Sequence, residues 1–349
     1  MASDLIVPVV VVNNVRPHPN ADRLDLCEVL GYQMVTGKGR WKSGMLGVYF
    51  PADTILPEKW AKEFDVEHLL QGKEANRVGR CRLRGEPSFG LIVPLPEGVD
   101  WELGQNVADY YDAKKWEPDP DQATAPDAAP YDSDIDPLFV KYTDVQNGLL
   151  LYGKFQDDEQ VVVSEKIHGK NCRIGLVNGE LQVGSRTTRK DPVKLRDKSI
   201  FWDAATDEVV SMLQSVSAGR NAKVVIVFGE IYGQGVQSLH YGCKKQKGFR
   251  AFDIYVDGTY LDYEDFRRFC DLFKVERVPI LAKMPFDLEK VKTLSSGRSV
   301  VPGADNIMEG VVVRTAVERR DPALGRMVLK FISPDYDLSK HKKKDTTDV

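Results

Sequence analysis

Residues 1–112 read as short apolar runs separated by turn residues. LIVPVVVV (5–12), RLDLCEVL (23–30), GYQMVTG (31–37), GMLGVYF (44–50), GRCRLRG (79–85) and FGLIVPL (89–95) are β-rich and bounded by Gly or Pro, which predicts strands. Many such strands in succession predict a small barrel, with one helical interruption at PEKWAKEFDVEHLL (57–70). From residue 137 the β pattern resumes in QVVVSEKIHG, NCRIGLVNG, ELQVGSR, AKVVIVFGEIYG, FRAFDIYVDG, EGVVVRT and MVLKFIS. Between these lie DEVVSMLQSVSA, DYEDFRRFCDLF and FDLEKVKTL, each apolar at helical spacing. Asn-Gly and Asp-Gly pairs favour hairpins, so the sheets are expected to be largely antiparallel and flanked by helices, an α+β fold. Residues 113–136 are dense in Pro, Asp and Ala, with too little apolar surface to offset their ordering entropy, and read as a linker. The expected organisation is a barrel module at 1–112, the linker at 113–136, and a second domain at 137–349 that ends in the charged tail SKHKKKDTTDV.

Composition narrows this picture. A length of 349 residues accommodates two domains. The net charge of −4 announces no global attraction to nucleic acid, although a local basic groove on an acidic protein suffices for a phosphate track. Cys27, Cys81, Cys172, Cys243 and Cys270 form no C-x-x-C pair, which argues against a zinc site and a disulfide framework. The apolar start is short, valine-rich and preceded by Asp4, so it reads as a buried strand and not as a signal peptide or membrane span. A soluble intracellular protein is expected, of cytoplasm, nucleus or an organelle, with no membrane partner.

The charged residues of the second domain fall in a pattern. Glu165-Lys166-Ile167-His168-Gly169-Lys170-Asn171 follows a valine run, so Lys166 should lie at a strand end that enters a tight turn. Downstream come Gly184-Ser185-Arg186, VVIVFGE ending at Glu230, AFDIY with Phe252, EGVVVR opening at Glu309 and closing at Arg314, and VLKF with Lys330. Each alone is an ordinary charge at the edge of an apolar strand. Together, in order and in one domain, they resemble the motifs of the covalent nucleotidyltransferase superfamily, which comprises polynucleotide ligases and messenger-RNA capping enzymes. EKIHGKN is most similar to ligases of the RNA ligase 2 type, which carry His where DNA ligases and capping enzymes carry Asp. The resemblance covers roughly residues 137–335.

That resemblance implies an ATP-dependent RNA ligase with ATP as substrate, AMP as covalent adduct, and magnesium or manganese. Lys166 would attack the α-phosphate. Only about one lysine in 2,500 is neutral at pH 7, so a nearby cation and a partly desolvated pocket would have to favour the amine. Glu165, Ile167, Arg186, Glu230, Phe252 and Lys330 would join Lys166 in the ATP/AMP site, with Glu230 on ribose hydroxyls, Phe252 on adenine and Lys330 on the α-phosphate. Glu309 and Glu230 would organise the metal through carboxylates and waters. Asn171 and Arg186 would serve the nucleic-acid ends. For Arg314, a surface ion pair and a nucleotide contact are both open. The family's last motif has two lysines one residue apart. Here only Lys330 is present, with Arg326 as a substitute or the motif degenerate. His168 reads as packed or hydrogen-bonded, not as a metal ligand. The basic loop Lys244-Lys245-Gln246-Lys247 reads as either a phosphate contact or a solvated loop.

In the front module, VRPHPNADRLDLCEV (15–29) resembles the opening of the OB-type tRNA-binding module of some aminoacyl-tRNA synthetases. Arg80, Arg82 and Arg84 would alternate on one strand and form a phosphate stripe, or else protect a strand edge. An OB module ahead of such a catalytic domain resembles the RNA ligase 5 group of repair ligases. The resemblance implies as partners RNA ends with 3′-OH and 5′-phosphate, in nicked RNA or RNA/DNA duplex, and a monomer is expected. DNA ligases and capping enzymes carry an OB domain after the last motif, and 19 residues beyond Lys330 hold none. The rival from another class is a non-catalytic tRNA- or RNA-binding protein that uses the front module.

Overall fold

The computed structural model describes residues 5–116, 136–190, 199–340 and 345–346. Most of the expected linker, 117–135, and most of the charged tail therefore lie outside the described residues. The chain packs as two units, Met1–Asp119 with Asp337–Val349, and Pro120–Tyr336. No helix among the described residues is long and apolar enough to cross a membrane.

The first unit is made of short antiparallel strands: β1 (Val9–Val11), β2 (Asn13–Pro17), β3 (Leu24–Val29), β4 (Tyr32–Gly37), β5 (Leu46–Phe50), β6 (Thr54–Ile55), β7 (Arg80–Leu83), β8 (Glu86–Phe89), β9 (Leu91–Pro94) and β10 (Lys114–Lys115). They pair as β1-β5-β9, β2-β3-β4, β6-β10 and β7-β8, and Asp345–Thr346 adds to β7 as a parallel strand. Period-two alternation sends Val7, Val9, Val48, Phe50 and Val93 into one core, where the helix Glu58–Glu63 adds Trp60 and Ala61. Tyr111 closes this core beneath Trp60 and Phe50, edge-on to both. The expected helix over 57–70 is shorter than its apolar pattern. It ends at Glu63, and Glu67–Leu69 forms a separate 3-10 turn after Asp65 takes a left-handed conformation.

The arginine stripe is corrected in one respect. Strand β7 stops at Leu83, which pairs with Glu86, so Arg84-Gly85 is the hairpin turn. Both residues have positive φ, as a two-residue turn of this hand requires, and Arg84 leaves the alternation.

The second unit holds two five-stranded sheets. The first has the order β11-β22-β19-β12-β18, with β11 (Gln146–Asn147), β12 (Gln160–Glu165), β18 (Ile280–Pro285), β19 (Gly310–Thr315) and β22 (Val328–Ile332). The second has the order β14-β13-β15-β16-β17, with β13 (Lys170–Val177), β14 (Glu180–Ser185), β15 (Val224–Tyr232), β16 (Gly248–Val256) and β17 (Thr259–Tyr260). A small hairpin, β20 (Arg320–Asp321) and β21 (Gly325–Arg326), precedes β22. All pairs are antiparallel except β11 with β22. The expected hairpins form at Asn178-Gly179 and Asp257-Gly258, where all four residues have positive φ. Helices Asp207–Arg220 and Tyr263–Phe273 cover one face of the second sheet, burying Met212, Leu213, Val216 and Phe266 against Val225, Val227 and Ile254. Side chains of that size each contribute about 1.5–3 kcal/mol on burial. Thr206 caps the first of these helices through its hydroxyl, and Asn221 ends it in the left-handed conformation.

Candidate active site

Strand β12 belongs to the first sheet and β13 to the second, so residues 166–169 form the crossover between the sheets. Lys166 lies there. Its amide donates to the Gly310 carbonyl at 2.9 Å, and Glu165 pairs with Val311, so β19 delivers Glu309 to the same point. The crossover is tight. A Cβ on Gly169 would stand 2.1 Å from the Ile231 carbonyl oxygen, and one on Gly310, at φ +150°, would stand 2.2 Å from that of Phe331. Glycine is therefore required at both positions for close backbone approach.

Lys166 Nζ donates to Glu309 Oε1 at 2.9 Å. The other oxygen of Glu309 lies 3.1 Å from His168 Nδ1. Around the imidazole, Nε2 is 3.1 Å from Ser238 Oγ, the Tyr336 hydroxyl is 3.0 Å from Nδ1, and the His168 amide donates to the Tyr241 hydroxyl at 2.7 Å. The ring is thus a fixed spacer behind Glu309. Burial pushes the Lys166 ammonium toward losing its proton, but Glu309 and then Glu230 outweigh burial and hold its pKa above the ordinary value. The sequence expectation of a pocket that favours the amine is met by only one of these opposing influences. Burial raises Glu309 as well, yet Lys166 and His168 hold it well below the usual carboxylate range. Glu230 has the opposite fate: burial lifts its carboxyl to about 8, against the pull of Lys166 and a hydrogen bond from the Gly169 amide. Glu230 reaches this point because β15 pairs it with Asn171.

The remaining candidates are placed as follows. Ile167 is buried with Tyr232, Tyr241, Val278 and Val301, and Phe252 packs partly against this group. Glu165 is buried, with Oε2 accepting from the Val300 amide at 2.9 Å and Oε1 left without a hydrogen-bond partner. Asn171 Oδ1 is likewise buried and unpartnered among the described residues. Arg186, half-exposed, forms an ion pair with Asp144. Lys330 pairs with Val312, which pairs with Ser164, so the three form one cross-strand row ending beside the crossover. Arg80 is turned inward, paired with Asp53 at 3.1 Å and Asp337 at 3.0 Å, while Arg82 is exposed.

Two arginines differ from expectation. Arg314 is neither a surface ion pair nor open to a ligand, being buried with Nη1 3.0 Å from Asp253 Oδ1. Arg326, weighed as a substitute for the missing lysine, is buried and donates to both oxygens of Glu318 at 2.6 and 2.7 Å. Its remaining nitrogen, Nη1, lies 2.8 Å from Asp253 Oδ2, so the buried head faces two carboxylates and presents no phosphate-binding fork. Residues without a motif also reach the site: Ser238, Tyr241, Val300 and Tyr336. Nothing in their local sequence distinguishes them, because what brings them is tertiary packing around His168 and Glu165.

Comparison with known proteins adds to this geometry. The RNA ligase family model matches residues 159–332, and an OB-fold domain model matches residues 6–95. No curated protein matches the chain. Among solved structures, a ligand-free point mutant of the Naegleria gruberi RNA ligase superposes with a TM-score of 0.75 at 23% identity, covering 99% of this chain and 100% of that one. The same ligase with pyrophosphate gives a TM-score of 0.73 at 23% identity, covering 97% and 99%. A mutant of it with ATP and manganese gives 0.72 at 23% identity, covering 97% and 99%. These likenesses establish the fold. The matched segment 159–332 runs from the start of β12 to the end of β22 and contains Lys166, Glu230, Phe252, Glu309 and Lys330. The chain belongs to the RNA ligase family through this segment, which follows an OB-fold domain at residues 6–95.

Proposed function

We propose that this RNA ligase uses ATP and works through a lysyl-adenylate on Lys166. The observation that carries the reading is the contact of Lys166 Nζ with Glu309 at 2.9 Å, at the crossover of two sheets with Glu230 alongside. The Lys166 nitrogen attacks the α-phosphorus, the bond to the leaving pyrophosphate breaks, and a phosphoramidate forms. Loss of the Glu309 contact removes the strongest influence that keeps Lys166 protonated and leaves burial, which favours the amine, opposed by Glu230. Glu165 Oε1 and Asn171 Oδ1, buried without partners, are hydrogen-bonding capacity that a bound nucleotide or nucleic-acid end would use. Phe252 is the platform for adenine, Arg186 and Asn171 serve the nucleic-acid ends, and Lys330 approaches the phosphate along its cross-strand row.

Two carboxylates, Glu309 and Glu230, border the nucleophile. No cluster of three or more His, Cys, Asp or Glu side chains is arranged to hold a metal among the described residues. An oxygen-only pair fits magnesium or manganese, which keep waters and take substrate phosphate oxygens. When bound, such a cation neutralises phosphate charge. AMP then passes to a 5′-phosphate end, a 3′-OH attacks that end, AMP leaves, and a phosphodiester forms. We place the substrate among broken RNAs, as single ends or nicked RNA or RNA/DNA duplex, with the OB-fold domain and exposed Arg82 and Arg84 adding phosphate contacts.

The test is incubation with α-labelled ATP and magnesium or manganese, after stripping any pre-bound AMP with pyrophosphate, followed by a denaturing gel. Label on the wild type and none on Lys166→Ala supports the reading. An unlabelled wild type, with GTP and NAD also tried, sinks it and favours a non-catalytic RNA-binding role.

A further inference from the structure

Phe252 sits at an irregularity of its strand. Phe228 on β15 stands opposite Asp253, and the next residue, Gly229, stands opposite Ala251, so Phe252 is an extra residue on β16, a β-bulge. Regular alternation would send Phe252 and Asp253 to opposite faces. In the bulge both meet Tyr142. Its ring lies 4.8 Å from that of Phe252, edge-on at 66°, and its hydroxyl donates to Asp253 Oδ2 at 3.0 Å.

Asp253 is itself clamped. Oδ1 accepts from Arg314 Nη1 at 3.0 Å and from the Ile254 amide at 3.1 Å, and Oδ2 lies 2.8 Å from Arg326 Nη1. Arg314 donates its other nitrogen to the Leu261 carbonyl at 2.7 Å. Arg326 grips Glu318 and lies 3.5 Å over the Tyr260 ring. Two guanidiniums and two carboxylates offset one another in a buried cluster, and none can shift without leaving a buried charge uncompensated. Phe252 connects this cluster to the nucleophile, because its ring packs both with Tyr142 and with the group around Ile167.

We infer that Tyr142, anchored by the Asp253–Arg314–Arg326 cluster, is the positioning residue that sets the pose of the Phe252 ring for the nucleotide base, and so governs ATP affinity. The inference rests on Phe252 being the adenine platform. The cluster fixes the Tyr142 hydroxyl, the edge-on contact fixes the Phe252 ring, and the bulge lets one short stretch of strand hold both. Tyr142 belongs to none of the motifs; it enters the unit before β11.

The test varies ATP in lysine adenylylation by the full chain. Phe252→Ala should raise the KM for ATP about tenfold, the scale of base–aromatic stacking. Tyr142→Ala should raise it about fivefold with the rate at saturating ATP changed less than about twofold, and Tyr142→Phe, which keeps the ring edge, should raise it less. In the double variant Tyr142→Ala/Phe252→Ala the KM should equal that of Phe252→Ala alone, because the positioned ring is gone. A Tyr142→Ala enzyme with the wild-type KM, or a rise that multiplies with that of Phe252→Ala, overturns the inference and leaves the platform standing. An unchanged KM in Phe252→Ala overturns the platform itself and the inference with it. If Tyr142→Ala does not melt cooperatively, Tyr142→Leu fills the space without an aromatic edge and is judged by the same outcomes.

Discussion

Lys166 meets Glu309 at 2.9 Å, and Arg314 meets Asp253 at 3.0 Å, so by distance the two ion pairs are alike. They differ in what surrounds them. Side chains of the first pair are 27% and 11% exposed; those of the second are 8% and 0% exposed. Asp253 is engaged on both oxygens by Arg314, Arg326, Tyr142 and an amide, and both arginines have further acceptors. Glu309 by contrast shares its charge between a lysine and an imidazole, and a third group, Glu230, stands by with a raised pKa. Lys166, Glu309 and Arg314 lie at or beside the ends of apolar strands, whereas Asp253 lies inside β16. A carboxylate engaged on both oxygens in a buried cluster holds the fold, and one whose partners can be exchanged is available for chemistry.

The sharpest way to break this contrast is to remove one member from each side. Lys166→Ala should cut transfer of label from ATP to the protein by roughly a thousandfold or more while the chain still melts cooperatively. Retained labelling would move the chemistry elsewhere. Asp253→Ala should do the reverse, costing about 3–5 kcal/mol in denaturant unfolding because two buried guanidiniums lose their shared partner. A variant as stable as the wild type would show that the cluster is not closed.

Glu230 tests the exchangeable side by pH. Burial lifts its carboxyl from 4.5 to about 8. Below 4.5 it is protonated in both folded and unfolded chains and costs nothing. Between 4.5 and 8 the unfolded chain gives up the proton more readily, so this group makes stability fall as pH rises through that window. Thermal melts of ligand-free protein should therefore show Glu230→Gln gaining on the wild type from pH 5 to about 8 and levelling beyond. A constant difference would mean that Glu230 titrates normally. The smallest effect is expected on the OB-fold domain. Arg82→Ala should weaken RNA binding about twofold and flatten its salt dependence, whereas inward-facing Arg80 should affect melting more than binding. Equal effects of the two on RNA affinity would erase the distinction between them.

Much of this was readable in the sequence. Valine-rich runs with Gly and Asn-Gly or Asp-Gly punctuation located β13, β15, β16, β19 and β22 to within two residues at either end, because strands buried in a core carry a strong and local signal; the run at β12 began correctly but overran its end at Glu165 by four residues. Lys166, Glu230 and Glu309 stood out because several such charges, each ordinary alone, follow in order within one domain and together resemble a family's motifs. Strand β18 was not legible, because ILAKMP is half-exposed and mixed in character. The roles of Arg314 and Arg326 were not legible either. Their acceptors, Asp253, Leu261 and Glu318, are close only in space. The same holds for Tyr336 and Ser238 behind His168, and for the bulge at Phe252, which only pairing with β15 creates. Arg84 was misread as strand because an alternating arginine pattern runs straight into a turn whose only marker is the following glycine.

Gly169 and Gly310 carry no charge, yet each adjoins a proposed site residue: the Gly169 amide donates a hydrogen bond to Glu230, and Gly310 follows Glu309. A saturation library scored by ligation alone would rank alanine at these two positions with alanine at Lys166 and Glu309, and its map of essential residues would overstate the chemical apparatus. Scoring the same library for soluble, cooperatively folded protein should separate them: the glycine variants should fail both screens, and Lys166→Ala only the first.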